Sequence, residues 1–585
     1  MFYFSKYEDR LPRYPLEYSE ARQTAYRILS IINIIFGTWY ITWRWTASLN
    51  YDELAFSLIL VIAETASFIA MLLFTYNLWT DQKISPLIPP KYFSECLEQN
   101  NPNIIRSSQK IINVDILITT YNEEAELVRL SVIDAKKLRY QYDINIKIYV
   151  LDDSNRQAIS AMAAEEEVEY INRQYNIGFK AGNLANGMLY TYGDFIVICD
   201  ADTRLFPDFL SKTLGFFRDP LVAWVQTPQW FFDLHPGVKP SQFGAASFGK
   251  IGKFVGLGLE KIFKMDKVMA DPFYSDSTTF FDLILRRRNA HNASFCCGAG
   301  SIHRREALYE VAVEHYTNQF NKEQNKNNHI FSPFKFHISE DIYTSFLIHA
   351  AQKKKWKSIF YPEILSKMLS PQDFQARYNQ LYRYAAGTLD FTFKELLLKK
   401  STMTIAQKLS YFTTFYSYIS SIWHLIFLIA PIFYLFTEIA PVGSTYQDFL
   451  KHLIPYVLIN EITQMVGCNK INKFNDKVLS IGSFWINLKA LYSVLSQKKM
   501  QFNVTSKTPT IRKNYTNFAF PHFIILIMGL SSIIYSLTKV YKGDIFSPAG
   551  ALIINYIWLS FNLYILWKII LSSIWTLDEH QTKNS

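Results

Sequence analysis

Phe195-Ile196-Val197-Ile198-Cys199-Asp200-Ala201-Asp202 sets the reading of this chain. The apolar run is short enough for a buried strand, and two carboxylates stand at i and i+2 directly after it. In parallel α/β sheets, ligands sit at the carboxyl ends of strands. Working outward, the apolar runs Val114–Thr119, Ile144–Leu151 and Val222–Gln226 read as further strands. Helix-like segments, Glu123–Lys137, Lys180–Tyr190 and Pro207–Phe217, alternate with them. The alternation predicts an α/β domain with a mainly parallel sheet over residues 111–390. A second acidic pair, Asp152-Asp153, ends the Ile144 strand.

Apolar spans frame this polar block. Ile28–Trp43 and Leu54–Trp79 are each close to the ~20 residues that cross a bilayer. Lys6, Arg10, Arg13, Arg22 and Arg27 precede them, and Lys83 and Lys91 follow. The positive-inside rule puts both flanks in the cytoplasm. Glu64, inside the second span, is expected to face protein in a structural pair. Tyr411–Phe436, Phe518–Val540 and Ala549–Trp567 read as spans, as does the weaker Phe449–Val466 with Lys451, His452 and Glu461 in it. The basic loop Cys468–Asn517 reads as cytoplasmic. Within it Val478, Ile481, Trp485, Leu488, Tyr492 and Leu495 recur at helical spacing, which predicts an amphipathic helix lying in the interface. The expected division is a tail over 1–25, two spans over 26–80, a linker over 81–110 and the cytoplasmic domain over 111–390. Interface helices follow over 391–410, two spans over 411–466, an interface helix and loop over 467–517, two spans over 518–575 and a tail over 576–585. The total is about six spans.

The bulk numbers agree with that frame. At 585 residues, 49% hydrophobic and 16% aromatic, the chain folds rather than staying disordered. Its net charge of +10 clusters beside apolar spans, which favours a lipid bilayer as partner over nucleic acid. The cysteines, Cys96, Cys199, Cys296, Cys297 and Cys468, have no metal-ligand spacing and read as reduced thiols. The polar, charged and aromatic start through Arg27 predicts no signal peptide.

The motifs carry chemistry. Asp200 and Asp202 can hold a divalent ion such as Mg²⁺ that bridges phosphate oxygens. A carboxylate of Asp152-Asp153 can accept hydrogen bonds from a nucleotide base or ribose, with an N-cap role for one of the pair. Thr119, Tyr121 and Glu123 follow the first strand, where hydroxyls and a ring can hold the base. Lys180-Ala181-Gly182-Asn183 opens a helix and offers a lysine and a close-approach glycine to an anion. Glu340-Asp341 opens another helix, either as a dipole-favoured cap or as a general base. Gln380 and Arg383 share a helix face, where Arg383 can fork onto a diphosphate. Tyr384 offers its ring to a sugar or to the core.

In this order the residues resemble the processive family 2 glycosyltransferases of the cellulose synthase type. The resemblance rests on Asp152-Asp153, Asp200/Asp202, Ser339-Glu340-Asp341, Gln380-Leu381-Tyr382-Arg383-Tyr384, Lys180-Ala181-Gly182-Asn183, Val225-Gln226-Thr227-Pro228, Phe295-Cys296-Cys297-Gly298 leading to Arg304-Arg305, and Phe502-Asn503-Val504-Thr505-Ser506-Lys507. It covers roughly residues 20–575. It implies a GT-A domain on the cytoplasmic face of a bacterial inner membrane and a channel for the growing polymer. The implied activity is an inverting hexosyltransferase that builds a β-glucan from UDP-glucose with Mg²⁺ or Mn²⁺. Asp341 would be the catalytic base. Asp200 and Asp202 would hold the metal and donor, Asp153 the uridine, and Gln380 and Arg383 the diphosphate. Tyr384 and Glu340 would meet the growing polysaccharide acceptor. Phe502 would cover the base and Thr505 reach the phosphates, in a gating loop. Tyr384 stands where the family has Trp, which leaves sugar and linkage open. Two amino-terminal spans are visible where the bacterial enzyme has four. No PilZ domain is expected after the last span, so control by cyclic di-GMP would need a partner, and accessory export subunits are open. A UDP-N-acetylglucosamine synthase, a single-transfer glycolipid enzyme and a non-catalytic receptor or transporter are the alternatives.

Overall fold

In the computed structural model, the described residues are 2–98, 109–234, 239–262, 279–322, 331–396, 402–469, 474–498 and 516–574. Helix α1 (Glu20–Thr46) begins where the Ser19 hydroxyl accepts the Arg22 N–H, an N-cap that satisfies an otherwise orphaned donor. Helix α2 (Leu54–Leu78) packs against it. Glu64 on α2 meets Arg44 on α1 at 2.6 Å, the structural pair expected of a carboxylate in an apolar span.

The α/β domain follows. Strands β1 (Ile112–Thr120), β2 (Ile144–Asp152), β3 (Glu169–Asn172), β4 (Phe195–Asp200), β6 (Val222–Gln226), β8 (Ser301–Arg304) and β9 (Lys357–Phe360) form one sheet in the order β3-β2-β1-β4-β8-β6-β9. Only β8 runs antiparallel to its neighbours. Ile116 and Ile118 face one apolar core and Leu117 the other, so the sheet is buried on both faces, as parallel sheets are. Helices α3 (Ala125–Lys136), α4 (Gln157–Glu165), α5 (Phe179–Met188) and α6 (Phe209–Thr213) lie within it. The four expected strands and three helical segments are all present, with Pro207–Phe217 shortened to α6 and a following 3-10 turn, Leu214–Arg218. Register matters most. Thr120 stands opposite Asp152 and Thr119 opposite Asp200, so the threonine end of β1 lies between the two acid-bearing ends of β2 and β4.

A small second sheet, β5 (Arg204–Leu205), β10 (Ser366–Met368) and β7 (Trp230–Phe231), sits beside this edge. The amino-terminal tail docks on it. Phe4 packs edge-on to Phe232 at 5.8 Å, and Glu8 bridges Arg204 and Lys367 at 2.5 and 2.6 Å. The linker is docked as well: Arg304 donates to the Cys96 carbonyl (2.9 Å) and Arg218 to that of Ile88 (2.7 Å). Neither partner pattern is visible in local sequence. After β7 comes helix α7 (Pro240–Ile262), then α8 (Arg305–Lys322), α9 (Glu340–His349) and α10 (Phe374–Phe391), the last capped by Asp373, which accepts the Ala376 N–H at 2.7 Å.

The remaining helices are α11 (Ile405–Ile419), α12 (Ser421–Thr437), α13 (Tyr446–Gly467), α14 (Phe474–Gly482), α15 (Phe484–Leu495), α16 (Phe520–Lys542) and α17 (Ala549–Ile574). Among the described residues, four segments are long and apolar enough to cross a membrane: α2, α11–α12 together, α16 and α17. Of the six expected spans, those at α1 and α13 do not reach that standard. Their polar residues face each other instead. Asn33 donates to Asn460 (3.1 Å), Thr463 to the Leu29 carbonyl (3.3 Å), and the Trp43 ring stacks on His452 at 4.2 Å. The single amphipathic helix expected over Val478–Leu495 is two helices, bent by 46° between Gly482 and Phe484. Its stripe is divided accordingly: Val478 is buried, whereas Trp485, Tyr492 and Leu495 are exposed. Length and apolarity also allow the bent pair to serve as a fifth span. Helix α15 packs along α10 and so ties the apolar region to the site.

Candidate active site

A cavity of about 470 Å³ opens over the ends of β1, β2 and β4. Twelve of the fourteen residues singled out from sequence line it: Thr119, Tyr121, Glu123, Asp153, Lys180, Asp200, Asp202, Glu340, Asp341, Gln380, Arg383 and Tyr384. Phe502 and Thr505 lie outside the described residues.

The floor is built at the strand ends. Thr119 donates to the Cys199 carbonyl at 3.2 Å. One oxygen of Glu123 accepts from the Thr120 hydroxyl (2.9 Å), the Tyr121 N–H (2.8 Å) and the Asn122 N–H (3.2 Å). That carboxylate therefore shapes the loop after β1. Asp152 is fully buried and accepts from the Arg156 N–H (2.6 Å), the Arg156 guanidinium (3.0 Å) and the Tyr170 hydroxyl (3.1 Å). It holds the turn before α4, whose N-cap position is Arg156, so neither acid of the pair takes the expected N-cap role. Asp153 lines the cavity and accepts from Arg173 Nε. Arg173 also donates to the carbonyls of Ile177 (2.6 Å) and Phe179 (2.9 Å), latching the turn that leads into α5. Nothing in local spacing marks Arg173.

That turn needs Gly178 in the left-handed region (φ +77°). The close approach at Gly182 is to the chain itself: a Cβ there would lie 1.8 Å from the Ile177 carbonyl oxygen. The sequence expectation that this glycine admits an anion is corrected by that contact. Lys180 donates to Asp200 Oδ1 and lies 4.0 Å from Glu340. Burial alone would lower the lysine, but Asp200, Glu340 and Asp341 together hold it above its ordinary value. It is a fixed cation among three carboxylates.

Asp202 is buried, and its Oδ2 accepts the Leu369 N–H at 2.9 Å. The next residues are held by Asp233, which accepts from the Ser370 N–H (2.9 Å), Gln372 Nε2 (3.0 Å) and the Tyr3 hydroxyl (2.7 Å). The amino-terminal tail thereby braces the segment against which Asp202 is set. Among the described residues no group of three or more His, Cys, Asp or Glu side chains comes together to hold a metal. Asp200 and Asp202 supply oxygen donors only. That set fits Mg²⁺ or Mn²⁺, which take one or two carboxylates and complete their shell with phosphate oxygens and water.

The wall comes from α9 and α10. Burial pushes Glu340 and Asp341 above the ordinary carboxylate range, and the charge of Asp341 raises Glu340 further. Opposing this, the Ile342 N–H donates to Asp341 Oδ1 (2.8 Å), and Lys180 and Arg383 favour its charged form. Gln226, fully buried, accepts the Cys297 N–H (2.8 Å) and donates to the carbonyls of Thr227 (2.8 Å) and Ala299 (3.1 Å). It fixes the turn around Gly298 (φ +88°), where a Cβ would come within 3.7 Å of Asp341 Oδ2 and 3.6 Å of Lys180 Nζ. The Val-Gln-Thr-Pro string was legible as a motif, but this bracing role was not. On α10, Gln380 accepts from Arg377 (2.9 Å), the Arg383 guanidinium lies 5.7 Å from the Tyr384 ring centre, and Tyr384 reaches the cavity. All five cysteines are free thiols, with Cys297 half-buried at the cavity wall.

The arrangement is a carboxylate-rich pocket with a trapped lysine, an arginine and an aromatic ring, suited to a phosphorylated polyhydroxyl ligand. The model for glycosyl transferase family 2 matches residues 115–312, and that for glycosyl transferase family group 2 matches residues 267–458. The cellulose synthase catalytic subunit (UDP-forming) of Pseudomonas fluorescens (strain SBW25) is 24% identical over 548 residues, 92% of this chain and 65% of that protein. Cellulose synthase 1 of Komagataeibacter xylinus is 25% identical over 555 residues, 92% of this chain and 31% of that protein. The chain thus spans less than two thirds of the length of these relatives. Among solved structures, the mannosyltransferase PcManGT from Pyrobaculum calidifontis in complex with GDP-Man and Mn²⁺ aligns with a TM-score of 0.44 and 14% identity over 76% of this chain. The two family matches run from β1 into α13, through the strand ends and the wall of the cavity, so this chain is similar to glycosyl transferase family 2 and to the catalytic subunits of cellulose synthases.

Proposed function

We propose that the chain polymerises glucose from UDP-glucose into a β-glucan by an inverting, processive transfer and passes the product across a bacterial inner membrane, with the α/β domain on the cytoplasmic side. One observation carries the reading. A single cavity gathers Asp200 and Asp202 at a strand end, Glu340 and Asp341 on the facing wall, and Gln380, Arg383 and Tyr384 on a helix packed against the apolar region.

In this reading Asp153 and the Thr119–Glu123 loop receive the uridine. Asp200 and Asp202 hold the divalent ion, which when bound neutralises diphosphate charge. Arg383 and Lys180 add positive charge where the leaving group develops its own. Tyr384 and Glu340 set the terminal sugar of the acceptor. Asp341 takes the proton from the acceptor hydroxyl as that oxygen attacks the anomeric carbon. The bond from that carbon to the diphosphate oxygen breaks, and UDP leaves with the electron pair. A carboxylate raised by burial is a better base than an exposed one, which suits this role. Phe502 and Thr505 close over the bound donor and exclude water.

The test supplies purified full-length protein with a panel of labelled UDP-sugars and Mg²⁺ or Mn²⁺, then analyses product size and linkage. Long β-linked glucan, formed only from UDP-glucose and abolished by chelation, is expected. Short lipid-linked product would sink the processive reading, and polymer from UDP-N-acetylglucosamine would reassign the donor.

A further inference from the structure

Helix α7 has a feature that the transfer reaction does not use. A straight helix would hold Ser241 and Glu260 about 28 Å apart at 1.5 Å per residue. Instead the Ser241 N–H donates to Glu260 Oε1 at 2.8 Å. The segment therefore doubles back on itself, and it does so at Gly249, whose φ of +59° is open to glycine. Small residues let the two arms touch. A Cβ on Gly244 would lie 2.0 Å from the Gly252 carbonyl oxygen, and one on Gly256 would lie 2.3 Å from that of Pro240. With the glycines turned inward, the large apolar side chains of the second arm are turned out. Ile251 is 78% exposed, Phe254 80% and Val255 56%, at i, i+3 and i+4 on one face. Lys250, Lys253 and Lys261 are exposed beside them. The acid of the segment, Glu260, is engaged within the hairpin.

The chain that carries this hairpin leaves the α/β domain at β7 and rejoins the fold beside the apolar helices. Thr279 donates to Asp476 on α14 (2.8 Å). Arg287 donates to the carbonyls of Leu78 and Gly467 (3.2 Å each), at the ends of α2 and α13. Helix α2 is one of the segments apolar enough to span a bilayer. An outward apolar stripe rimmed by lysines, on a segment that joins the fold beside such a helix, matches an anionic lipid surface in both hydrophobicity and charge. We infer that the Pro240–Ile262 hairpin is a membrane foot. Ile251, Phe254 and Val255 enter the headgroup boundary, and Lys250, Lys253 and Lys261 pair with anionic lipid phosphates. It would hold the domain against the bilayer at a point separate from the spanning helices.

The full chain in nanodiscs tests this without reference to catalysis. Phe254→Cys, on a Cys297→Ser background, is labelled with bimane and compared with Tyr192→Cys, an 82% exposed site at the far end of β4. Spin-labelled phosphatidylcholine should quench position 254 several-fold more than position 192. Adding phosphatidylglycerol should increase that quenching, and Lys250→Glu/Lys253→Glu/Lys261→Glu should remove the increase. Quenching at 254 no greater than at 192 would overturn the proposal. So would quenching indifferent to phosphatidylglycerol and to the lysines, or cross-linking of position 254 between two copies of the chain in place of lipid contact.

Discussion

Two pairs of adjacent acids, Asp152-Asp153 and Glu340-Asp341, look alike as sequence and behave differently in the fold. In the first, each carboxylate has its own arginine: Arg156 for Asp152 and Arg173 for Asp153. In the second, Glu340 is buried and Asp341 half-buried, the salt-bridging cation among the described residues is Lys180 at 4.0 Å from Glu340, and both titrate above the ordinary range. A paired acid holds a loop in place. An acid whose pKa is raised by its surroundings is poised to take a proton. The difference lies in what surrounds each pair, not in the pairs themselves.

The sharpest break of this comparison is Asp341→Asn. Transfer should fall by on the order of 100- to 10,000-fold, the range of a general base, while UDP binding by calorimetry stays close to that of the parent. Loss of UDP binding would instead make Asp341 a donor ligand. Next is pH. As the base, Asp341 works ionised, so kcat/KM should rise with pH through its elevated pKa and be lost as pH falls through it. Arg383 favours the charged form, so Arg383→Gln should move this acid limb to higher pH as well as lowering the plateau. A limb that stays put would show that another group sets it. The first pair should respond differently. Asp153→Asn frees Arg173 and loosens the turn into α5, so the donor KM should rise roughly tenfold, the scale of one charge-assisted hydrogen bond, with kcat little changed. A collapse of kcat would erase the distinction between the pairs. The smallest effect is expected at Tyr3→Phe. Removing its bond to Asp233 should weaken docking of residues 2–10 by about 1 kcal/mol, read as faster hydrogen exchange there.

Much of the site is legible in sequence for local reasons. A run of five or six apolar residues ending in acid places those acids at a strand end, since a buried strand runs out where charge begins. Helical spacing likewise places Gln380, Arg383 and Tyr384 on one face of α10. The residues that escape are the braces. Arg173 lies 20 positions from Asp153, Gln226 lies 71 from Cys297, and Tyr3 lies 230 from Asp233. No local period connects such partners. The span count is blurred for a related reason: the polar groups that make α1 and α13 look soluble are satisfied by one another.

By itself, the sequence determined the α/β alternation, the apolar framing segments and the strand ends where acids gather, because strand length, helical period and hydrophobicity are properties of neighbouring residues. Only the tertiary structure decided which pair of acids is matched by arginines and which is left with raised pKa values, that Gly182 approaches the chain rather than an anion, and that α7 folds back to present an apolar face. Those outcomes depend on burial and on partners brought together from distant parts of the chain.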